Sequence, residues 1–336
     1  MNAGKKTVTV PGAPLLPGLT FRRFRGAADY ACMADLIAAC KTADGVERST
    51  SAEDIATNYR HLENCDPARD MLFAQIDGQA IAYGRVFWEQ ELDGPRLYQV
   101  IGFLHPQWRH QGIGTAMWKF GEEHVHALAA EFPQGGQSFL QAAPFETEKD
   151  LIGLLERQGY RPVRYETHMR RDLGEPLPEA PMPEGLEVRP VRPEDIWPIF
   201  HASNEAFRDH WGAHDETEEQ HRAFMEGPLF RPELWKVAWD GDQMASVVHN
   251  FIDEKENQEY GRRRGYTEGI CTRRAWRHKG LARSLLVQSM RMFKDMGMTE
   301  TALSVDAENI SGALHLYESV GYRKVRQQII FRKPVE

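Results

Sequence analysis

Cysteine and long apolar runs are both scarce in this sequence. Of its 336 residues only four are cysteines, namely Cys32, Cys40, Cys65 and Cys271. They form no CxxC pair and no other metal-ligand spacing, so we expect reduced thiols in a cytoplasmic protein and no metal site. No segment approaches the ~20 apolar residues that a membrane-spanning helix requires. The first 18 residues lack the apolar core of a signal peptide, and we predict a flexible tail over residues 1–18.

Positive charge is in short supply as well. The chain has 41 Lys and Arg residues against 49 Asp and Glu residues, which gives a formal net charge of -8. A surface of this sign disfavours nucleic acid and anionic membranes as partners. It is compatible with a cationic or amine-bearing substrate. The length suits two domains that each bury a core of ordinary size.

What the sequence does contain is an internal repeat. Four segments of the first half recur in the same order in the second half, at offsets between 162 and 168 residues. They are residues 19–25 and 186–192, 74–84 and 237–247, 108–114 and 276–282, and 159–164 and 321–326. Four matches in one order indicate a duplicated domain.

A proline-rich stretch, "GEPLPEAPMPEG", separates the two copies. Its composition favours an extended linker, so we predict an N-terminal domain over 19–172, a linker over 173–185 and a C-terminal domain over 186–336. Strand and helix patterns are mixed within each copy. The predicted fold class is therefore α/β (α+β), with a mixed, mostly antiparallel sheet flanked by helices in each domain.

The third repeated segment is a glycine-containing loop, "WRHQGIG" in the first copy and "WRHKGLA" in the second. In each copy a strand leads into the loop and a helix follows it. Backbone N–H groups at a glycine and the start of a helix together form an anion site. A tight strand-to-helix turn with solvated basic residues is the competing interpretation. The loop lacks the spacing of a Walker P-loop and of a dinucleotide-binding glycine loop.

The spacing of this loop resembles the acetyl-CoA pyrophosphate loop of the GNAT acetyltransferases. The matching residues are Arg109-x-x-Gly112-x-Gly114 and Arg277-x-x-Gly280-x-Ala282. The segment "LSVDAENISGALHLYESVGYRKV" resembles the part of that family that follows the loop. The likeness covers nearly the whole chain as two tandem GNAT domains. The layout is also similar to two-domain acetyltransferases of the mycothiol-synthase type, from which we carry over no substrate.

The resemblance implies acetyl-CoA as cosubstrate, without a metal, and assigns its contacts. The backbone of Ile270 and Thr272 would pair with the pantetheine arm, the loop would hold the pyrophosphate, and Asn309 would bond the amide arm. The implied cofactor residues are Ile270, Cys271, Thr272, Arg277, His278, Lys279, Gly280, Leu281, Ala282 and Asn309 in the second half, with Arg109, Gln111, Gly112, Ile113 and Gly114 in the first.

By the same resemblance Tyr317 is the general acid that protonates the departing thiolate, and Glu268 is the candidate base for the amine proton. For Tyr317 the alternative is packing on the core face of its helix. For Glu268 the alternative is a glutamate on the rim of the domain that faces an arginine-rich turn. Cys271 invites a covalent mechanism, but no histidine partner is in view, which favours a structural thiol.

A polar and aromatic cluster lies early in the second copy, in "HASNEAFRDHWGAHD". By the resemblance it lines the acceptor pocket, and the candidate substrate residues are Asn204, Glu205, His210 and Trp211. A zinc site is one alternative, although the spacing matches no common ligand pattern. An ordinary surface helix and loop is another.

The first copy departs from the family pattern downstream of its loop. The 162-residue offset places Thr147 at the position of Asn309 and Leu155 at that of Tyr317. Leucine cannot donate a proton, and Pro144 interrupts the matching strand. We therefore predict that the N-terminal domain is catalytically silent. Either it binds acetyl-CoA or it only keeps the fold.

Two hypotheses of function follow. The first is an acetyl-CoA-dependent N-acetyltransferase that acts on a primary amine of a small molecule by direct transfer in the C-terminal domain, with a peptide or protein amine as the alternative acceptor. The second is a non-catalytic acyl-CoA-binding or regulatory protein. The duplication supplies an internal pseudo-dimer, which is compatible with a monomer.

Overall fold

The computed structural model describes residues 7–92, 94–131, 136–309 and 312–335. The chain forms two compact units, which we call unit 1 (Met1–Val163 and Ile329–Glu336) and unit 2 (Arg164–Gln328). In the part of the chain that is described, no helix combines the length and the apolarity needed to cross a membrane.

Unit 1 contains the elements of the first copy. They are β1 (Leu19–Arg22), α1 (Tyr30–Asp44), α2 (Ala52–Arg60), α3 (Pro67–Asp70), β2 (Met71–Ile76), β3 (Gln79–Gln90), β4 (Arg96–Leu104), α4 (Ile113–Glu131), β5 (Ser138–Ala142) and α5 (Lys149–Arg157). The strand β6 (Arg161–Asp172) follows, and its residues from Arg164 onward belong to unit 2.

Unit 2 repeats this order of strands and helices. It contains β7 (Glu187–Val188), α6 (Ile196–Phe207), α7 (Glu218–Glu226), β8 (Lys236–Asp240), β9 (Gln243–Phe251), α8 (Glu254–Glu259), β10 (Arg264–Thr272), α9 (Leu281–Asp295), β11 (Glu300–Asp306) and α10 (Ala313–Ser319). The last strand is β12 (Arg323–Pro334), whose end from Ile329 onward belongs to unit 1.

The strand order is β1-β2-β3-β4-β5-β12 in unit 1 and β6-β11-β10-β9-β8-β7 in unit 2. Within each unit one pairing is parallel, β4 with β5 and β10 with β11, and the other pairings with a described register are antiparallel. The predicted fold of two domains, each with a mixed and mostly antiparallel sheet, is confirmed.

The Asp-Gly pairs of the repeat lie at the hairpin turns between β2 and β3 and between β8 and β9. At the first turn Asp77 and Gly78 both have positive φ, 49° and 87°. This is the combination that a type I′ turn requires and that matches the twist of the flanking strands. The turn residues therefore favour the register of β2 against β3, in which Ile76 lies opposite Gln79.

The helix after each loop covers one face of its sheet. In α9 the side chains of Leu285, Leu286, Met290 and Phe293 are fully buried, at the helical spacing that the sequence predicts. Burying each of them contributes roughly 1.5–3 kcal/mol. This packing holds the start of α9, and with it the loop, rigidly above β10.

Two segments differ from the expected organisation. Residues 1–6 of the predicted tail lie outside the described residues, and residues 7–18 contact unit 1 at some positions although most of them are half-buried or exposed. Val8 donates its N–H to the carbonyl of Phe21 at 2.8 Å, and Val10 is buried. The tail adds to the edge of β1 because its apolar side chains find a place in the core of unit 1.

The second difference concerns the ends of the domains. Phe331 to Pro334 of β12 pair with Phe139 to Ala142 of β5, so the end of the chain belongs to unit 1 and not to the predicted 186–336 domain. In the same way Glu166 to Asp172 of β6 pair with β11 in unit 2, although they lie in the predicted 19–172 domain. The linker itself packs on unit 2, where Ala180 is buried.

Candidate active site

In unit 2 the strands β10 and β11 pair over a short stretch and an opening follows. Their register runs from Arg264 opposite Glu300 to Tyr266 opposite Ala302. Beyond it, the ladder of β10 with β9 is irregular between Glu268 and Cys271. A bulge of this kind frees backbone groups of β10 for another extended chain. The backbone of Ile270, predicted to pair with a pantetheine arm, lies in this bulge.

Gly269 makes the bulge possible. Its φ is +55°, and a Cβ atom there would lie 2.5 Å from Nδ1 of His249. Any other residue would both strain the backbone and collide with the histidine. In unit 1 the ladder of β4 with β3 is continuous from Leu104 to Arg96, so this bulge has no counterpart there.

The glycine loops of the two units have the same backbone geometry. In unit 2, His278 has φ 60° and Gly280 has φ 80°, and in unit 1, His110 has φ 61° and Gly112 has φ 87°. Left-handed residues in such a turn direct successive N–H groups toward one point. The helix that begins at the next residue adds N–H groups with no acceptor inside the helix. Both units therefore contain the geometry of an anion site.

The arginine of each loop has a structural task. Arg277 donates from Nε to the carbonyl of Thr272 at 2.9 Å and from Nη1 to Asp209 at 2.6 Å. Arg109 donates in the same way to the carbonyl of Leu104 at 3.3 Å and to both carboxylate oxygens of Asp44 at 2.6 and 2.8 Å. These contacts hold the loop against the end of the strand and against the end of the first long helix of the unit. We call each pair, Arg277 with Asp209 and Arg109 with Asp44, a clip.

This arrangement revises the predicted part of Arg277 and Arg109 in holding a pyrophosphate. Their guanidinium groups already bind protein carboxylates and carbonyls, so the groups left for an anion are backbone N–H groups and the exposed side chains of His278, Lys279 and Gln111. Leu281 and Ile113 are buried beneath the loops. Ala282 and Gly114 occupy the second helical position, and their small size leaves the backbone N–H groups of the loop accessible.

Tyr317 lies on α10 and only 5% of its surface is exposed. Its ring packs edge-on against that of Tyr322, with ring centroids 6.2 Å apart. Burial raises the pKa of Tyr317 above its ordinary value, so the phenol is fully protonated at neutral pH. Both predicted tasks, core packing and proton donation, are compatible with this environment. Asn309 follows β11 and donates its backbone N–H to the carbonyl of Asp306 at 3.1 Å.

Glu268 lies on β10 directly opposite His249 of β9. Burial, with a smaller contribution from the nearby Glu166, raises the pKa of Glu268 to about 8, against an opposing effect of Ser304. The carboxyl group is therefore not a solvated rim glutamate. It is poised to exchange a proton near neutral pH, as a general base must.

Three side chains beside Glu268 were not identified from the sequence. His249, Glu268, Ser304 and His168 come from four neighbouring strands, and we call them the polar row. Ser304 lies opposite His168, with 3.2 Å between Oγ and Nδ1. Nε2 of His249 is buried without a hydrogen-bond partner among the described residues. The only signal in the sequence is the alternation of polar residues in "YETHM" of β6.

Most of the predicted acceptor residues serve the local structure. The side-chain amide of Asn204 makes two hydrogen bonds to the backbone of Glu216, at 2.9 and 3.2 Å. Glu205 forms an ion pair with Arg273 at 2.8 Å.

The other two predicted acceptor residues lie in the segment that follows α6. The ring of His210 packs against Phe207 with 4.9 Å between centroids, and burial lowers the pKa of this histidine. Trp211 lies beneath the guanidinium of Arg164 at 5.3 Å and remains partly exposed. Among the residues described, no group of three or more His, Cys, Asp or Glu side chains could hold a metal ion.

Cys271 has the environment of a structural thiol. It is buried, its Sγ lies 3.8 Å from Oγ of Ser203, and burial raises its pKa to about 12. A thiol with this pKa supplies almost no thiolate at neutral pH. This environment argues against a covalent intermediate on Cys271.

Unit 1 has the loop but, at the matching positions, neither the tyrosine nor the glutamate of unit 2. The carbonyl that binds the loop arginine belongs to Leu104 in unit 1 and to Thr272 in unit 2. Three residues along the neighbouring strand from the partner of that residue, unit 1 pairs Arg85 with Ile101, whereas unit 2 pairs His249 with Glu268. Leu155 is fully buried at the position of Tyr317. A cavity of about 260 Å³ nevertheless opens in unit 1. Gly112 and Gly114 of the loop, the end of β4 and one face of α5 line it.

Comparison with known proteins agrees with this architecture. The model of the Acetyltransferase (GNAT) family matches residues 33–160 and 196–322, more than half of the chain. The chain belongs to the GNAT acetyltransferase family. It is therefore an acyltransferase with two tandem GNAT domains, of a family that uses acetyl-CoA.

Individual relatives share the two-domain layout. The chain is 28% identical over 320 residues to a mycothiol acetyltransferase of Geodermatophilus obscurus, covering 91% of this chain and 94% of that protein. A mycothiol acetyltransferase of Pseudarthrobacter chlorophenolicus is 26% identical, with coverage of 88% and 90%. Among solved structures, a GCN5-related N-acetyltransferase from Sphaerobacter thermophilus has a TM-score of 0.73 at 28% identity, covering 96% and 97% of the two chains. A tandem GNAT protein from the clavulanic acid biosynthesis pathway has the same fold, with a TM-score of 0.66 at 14% identity and coverage of 95% and 99%.

Proposed function

We propose that this GNAT protein transfers the acetyl group of acetyl-CoA to the primary amine of a small molecule, and that unit 2 carries out the reaction. The observation that carries the proposal is that, among the described residues, unit 2 combines the glycine loop with a β-bulge at Gly269 and the half-buried carboxyl group of Glu268 on the same strand. In that unit the loop backbone from His278 to Ala282 would hold the pyrophosphate. The backbone of Ile270 and Thr272 would pair with the pantetheine arm.

The chemistry needs one base and one acid. Glu268 accepts the proton of the acceptor ammonium group, and the neutral nitrogen attacks the thioester carbonyl. A C–N bond forms, and as the C–S bond breaks Tyr317 donates its phenolic proton to the departing sulfur. The nitrogen, which carries two protons after the attack, releases one of them to become the amide N–H, and that proton restores the phenol of Tyr317. A raised pKa suits Glu268 for this task, because a base works best when its pKa lies near the operating pH. No covalent intermediate on the protein is needed.

For unit 1 we propose acetyl-CoA binding without turnover. The loop geometry and the cavity beside it support binding. Leu155 and Ile101, which stand where unit 2 has Tyr317 and Glu268, exclude the same acid and base. Unit 1 would then contribute to stability or regulation while unit 2 turns over.

Two relatives are named mycothiol acetyltransferases, so the amine precursor of mycothiol is the first acceptor to test. At 26–28% identity, other amines belong in the same panel. These include amino sugars and simple aliphatic amines.

The test is release of free CoA thiol on incubation with acetyl-CoA and each amine, with the product mass measured. We expect one or more amines to gain an acetyl group. Tyr317→Phe should lower the rate by about 10²-fold, which is the usual size of a general-acid contribution. Leu155→Phe in unit 1 is the matched control and should leave the rate within about twofold. Tight CoA binding with no acetylated product from any amine would favour the acyl-CoA-binding alternative.

A further inference from the structure

A second carboxyl group lies beside the proposed base. Glu166 and His168 are two residues apart on β6, so their side chains project from the same face of the sheet. His168 lies opposite Ser304 in the ladder, and Glu166 lies opposite Asp306. The strand β11, which carries Ser304, lies between β6 and β10 in the sheet. The strand order thus brings Glu166 and Glu268, which are far apart in the sequence, to the two sides of Ser304.

Both carboxyl groups lack a cation of the protein's own. Within the described residues neither Glu166 nor Glu268 has an Arg, Lys or His ion-pair partner, although many other carboxylates bind arginine, among them Asp29, Glu300 and Asp306. Burial raises the pKa of each carboxyl group, for Glu166 together with the charge of Asp306. Both groups are half-buried, and leaving carboxyl groups that are partly shielded from water without a partner costs stability. Carboxyl groups of this kind are retained at sites where a ligand supplies the missing positive charge.

The other titratable groups near Glu268 do not supply that charge. His249 faces it from β9, and burial lowers the pKa of this histidine to about 4, so it is neutral at neutral pH. Tyr317 and Tyr322 face it from α10 and the turn that follows, and both are protonated phenols. From β11 and β6 the groups are Ser304, Asp306, Glu166 and His168.

We propose that Glu166 is a positioning residue for the acceptor: together with Glu268, which lies on the other side of β11, it binds the ammonium form of an aliphatic primary amine and directs its proton toward Glu268. The inference rests on the acetyl transfer proposed for unit 2. It assigns the substrate class as amines that are protonated at neutral pH, in preference to aromatic amines, which are neutral there. The negative charge of Glu166 also keeps Glu268 a stronger base than it would be alone.

The test compares Glu166→Gln with the full-length wild-type protein and with Glu254→Gln, which removes an exposed carboxylate of unit 2. The readouts are kcat and KM across pH for one aliphatic and one aromatic amine. In Glu166→Gln we expect the KM of the aliphatic amine to rise about tenfold, a change of about 1.4 kcal/mol in binding. The KM of the aromatic amine should stay within about twofold. The acidic limb of the pH–rate profile should move to lower pH, since Glu268 loses a neighbouring negative charge.

Glu166→Asp keeps the charge and should restore most of the preference for the aliphatic amine, and thermal unfolding of each variant checks the fold. Wild-type selectivity adds a measurement that does not depend on any variant: the aliphatic amine should have the higher kcat/KM. An unchanged pH profile and unchanged KM values in Glu166→Gln would overturn this inference while leaving the acetyl transfer intact. A wild-type protein that acetylates no amine would instead overturn the proposed function.

Discussion

The two units of this protein are alike where they would hold a phosphate and different where they would move a proton. His110 and Gly112 reproduce the left-handed angles of His278 and Gly280 to within 7°, and an arginine clips each loop to its strand. The bulge at Gly269 and the ionisable side chains beside it occur in unit 2 alone among the described residues. The comparison teaches that an anion-binding loop belongs to the scaffold and is retained after duplication, whereas the chemistry depends on a few side chains.

The largest expected effect comes from removing the proposed base, which tests whether the chemistry depends on unit 2. Glu268→Gln should lower kcat/KM by about 10²–10³-fold, because the amide cannot accept the amine proton. The raised pKa of Glu268, about 8, also fixes the pH dependence. Glu268 acts as a base only when it is deprotonated, so the wild-type rate should fall as the pH drops below about 8. Steady-state kinetics from pH 6 to pH 10 measure both effects.

The matched control lies at the same ladder position in unit 1. Ile101→Gln introduces the same side chain and should change kcat/KM by less than about twofold, because unit 1 supplies no base to lose. If both variants lost activity equally, the assignment of the chemistry to unit 2 would be wrong. If Glu268→Gln kept the acidic limb near its wild-type pH, another group would be the base.

The comparison is sharpened by counting acetyl-CoA sites. Gly280→Val and Gly112→Val each place a β-branched residue at a φ of 80° or 87°, which distorts the loop. We expect two CoA sites per chain in the wild-type protein and one in each variant, by isothermal titration calorimetry. Gly280→Val should also raise the KM for acetyl-CoA about tenfold, and Gly112→Val should not. A stoichiometry of one that only Gly280→Val abolishes would show that unit 1 keeps the fold without binding.

The sequence predicts the parts of this site that are contiguous in the chain. The loops, the helices that follow them and the candidate residues Glu268 and Tyr317 can be identified, since each is set by a short local pattern. The polar row cannot, because Ser304 and His168 meet only through the register of β11 with β6. Nothing local marks that register until the strands are paired.

Other features of the structure could not be predicted from the sequence for related reasons. Asn204 and Glu205 look like substrate ligands in the sequence, since a polar cluster near a helix end does not reveal which partners its members will find. The pairing of β12 with β5 depends on which strand completes each sheet, and the repeat alone is compatible with either arrangement. The ion pair of Arg277 with Asp209 could not be predicted, because the loop motif suggests that the arginine binds a phosphate instead.

The smallest expected effect concerns these clips and the stability of each unit. Asp44 and Arg109 are mostly buried, with 11% and 15% of their side chains exposed, whereas Asp209 and Arg277 are 25% and 27% exposed. Asp44→Ala leaves Arg109 with Asp150, at 3.2 Å, as its remaining carboxylate, and Asp209→Ala removes the carboxylate that binds both Arg277 and Arg274. The cost of such a change grows with burial. Asp44→Ala should therefore destabilise unit 1 by about 2 kcal/mol and Asp209→Ala should destabilise unit 2 by about 1 kcal/mol, seen as a Tm lower by about 4–8 °C and 2–4 °C respectively. Differential scanning calorimetry measures both, and an equal or reversed order would mean that burial does not set the strength of these clips.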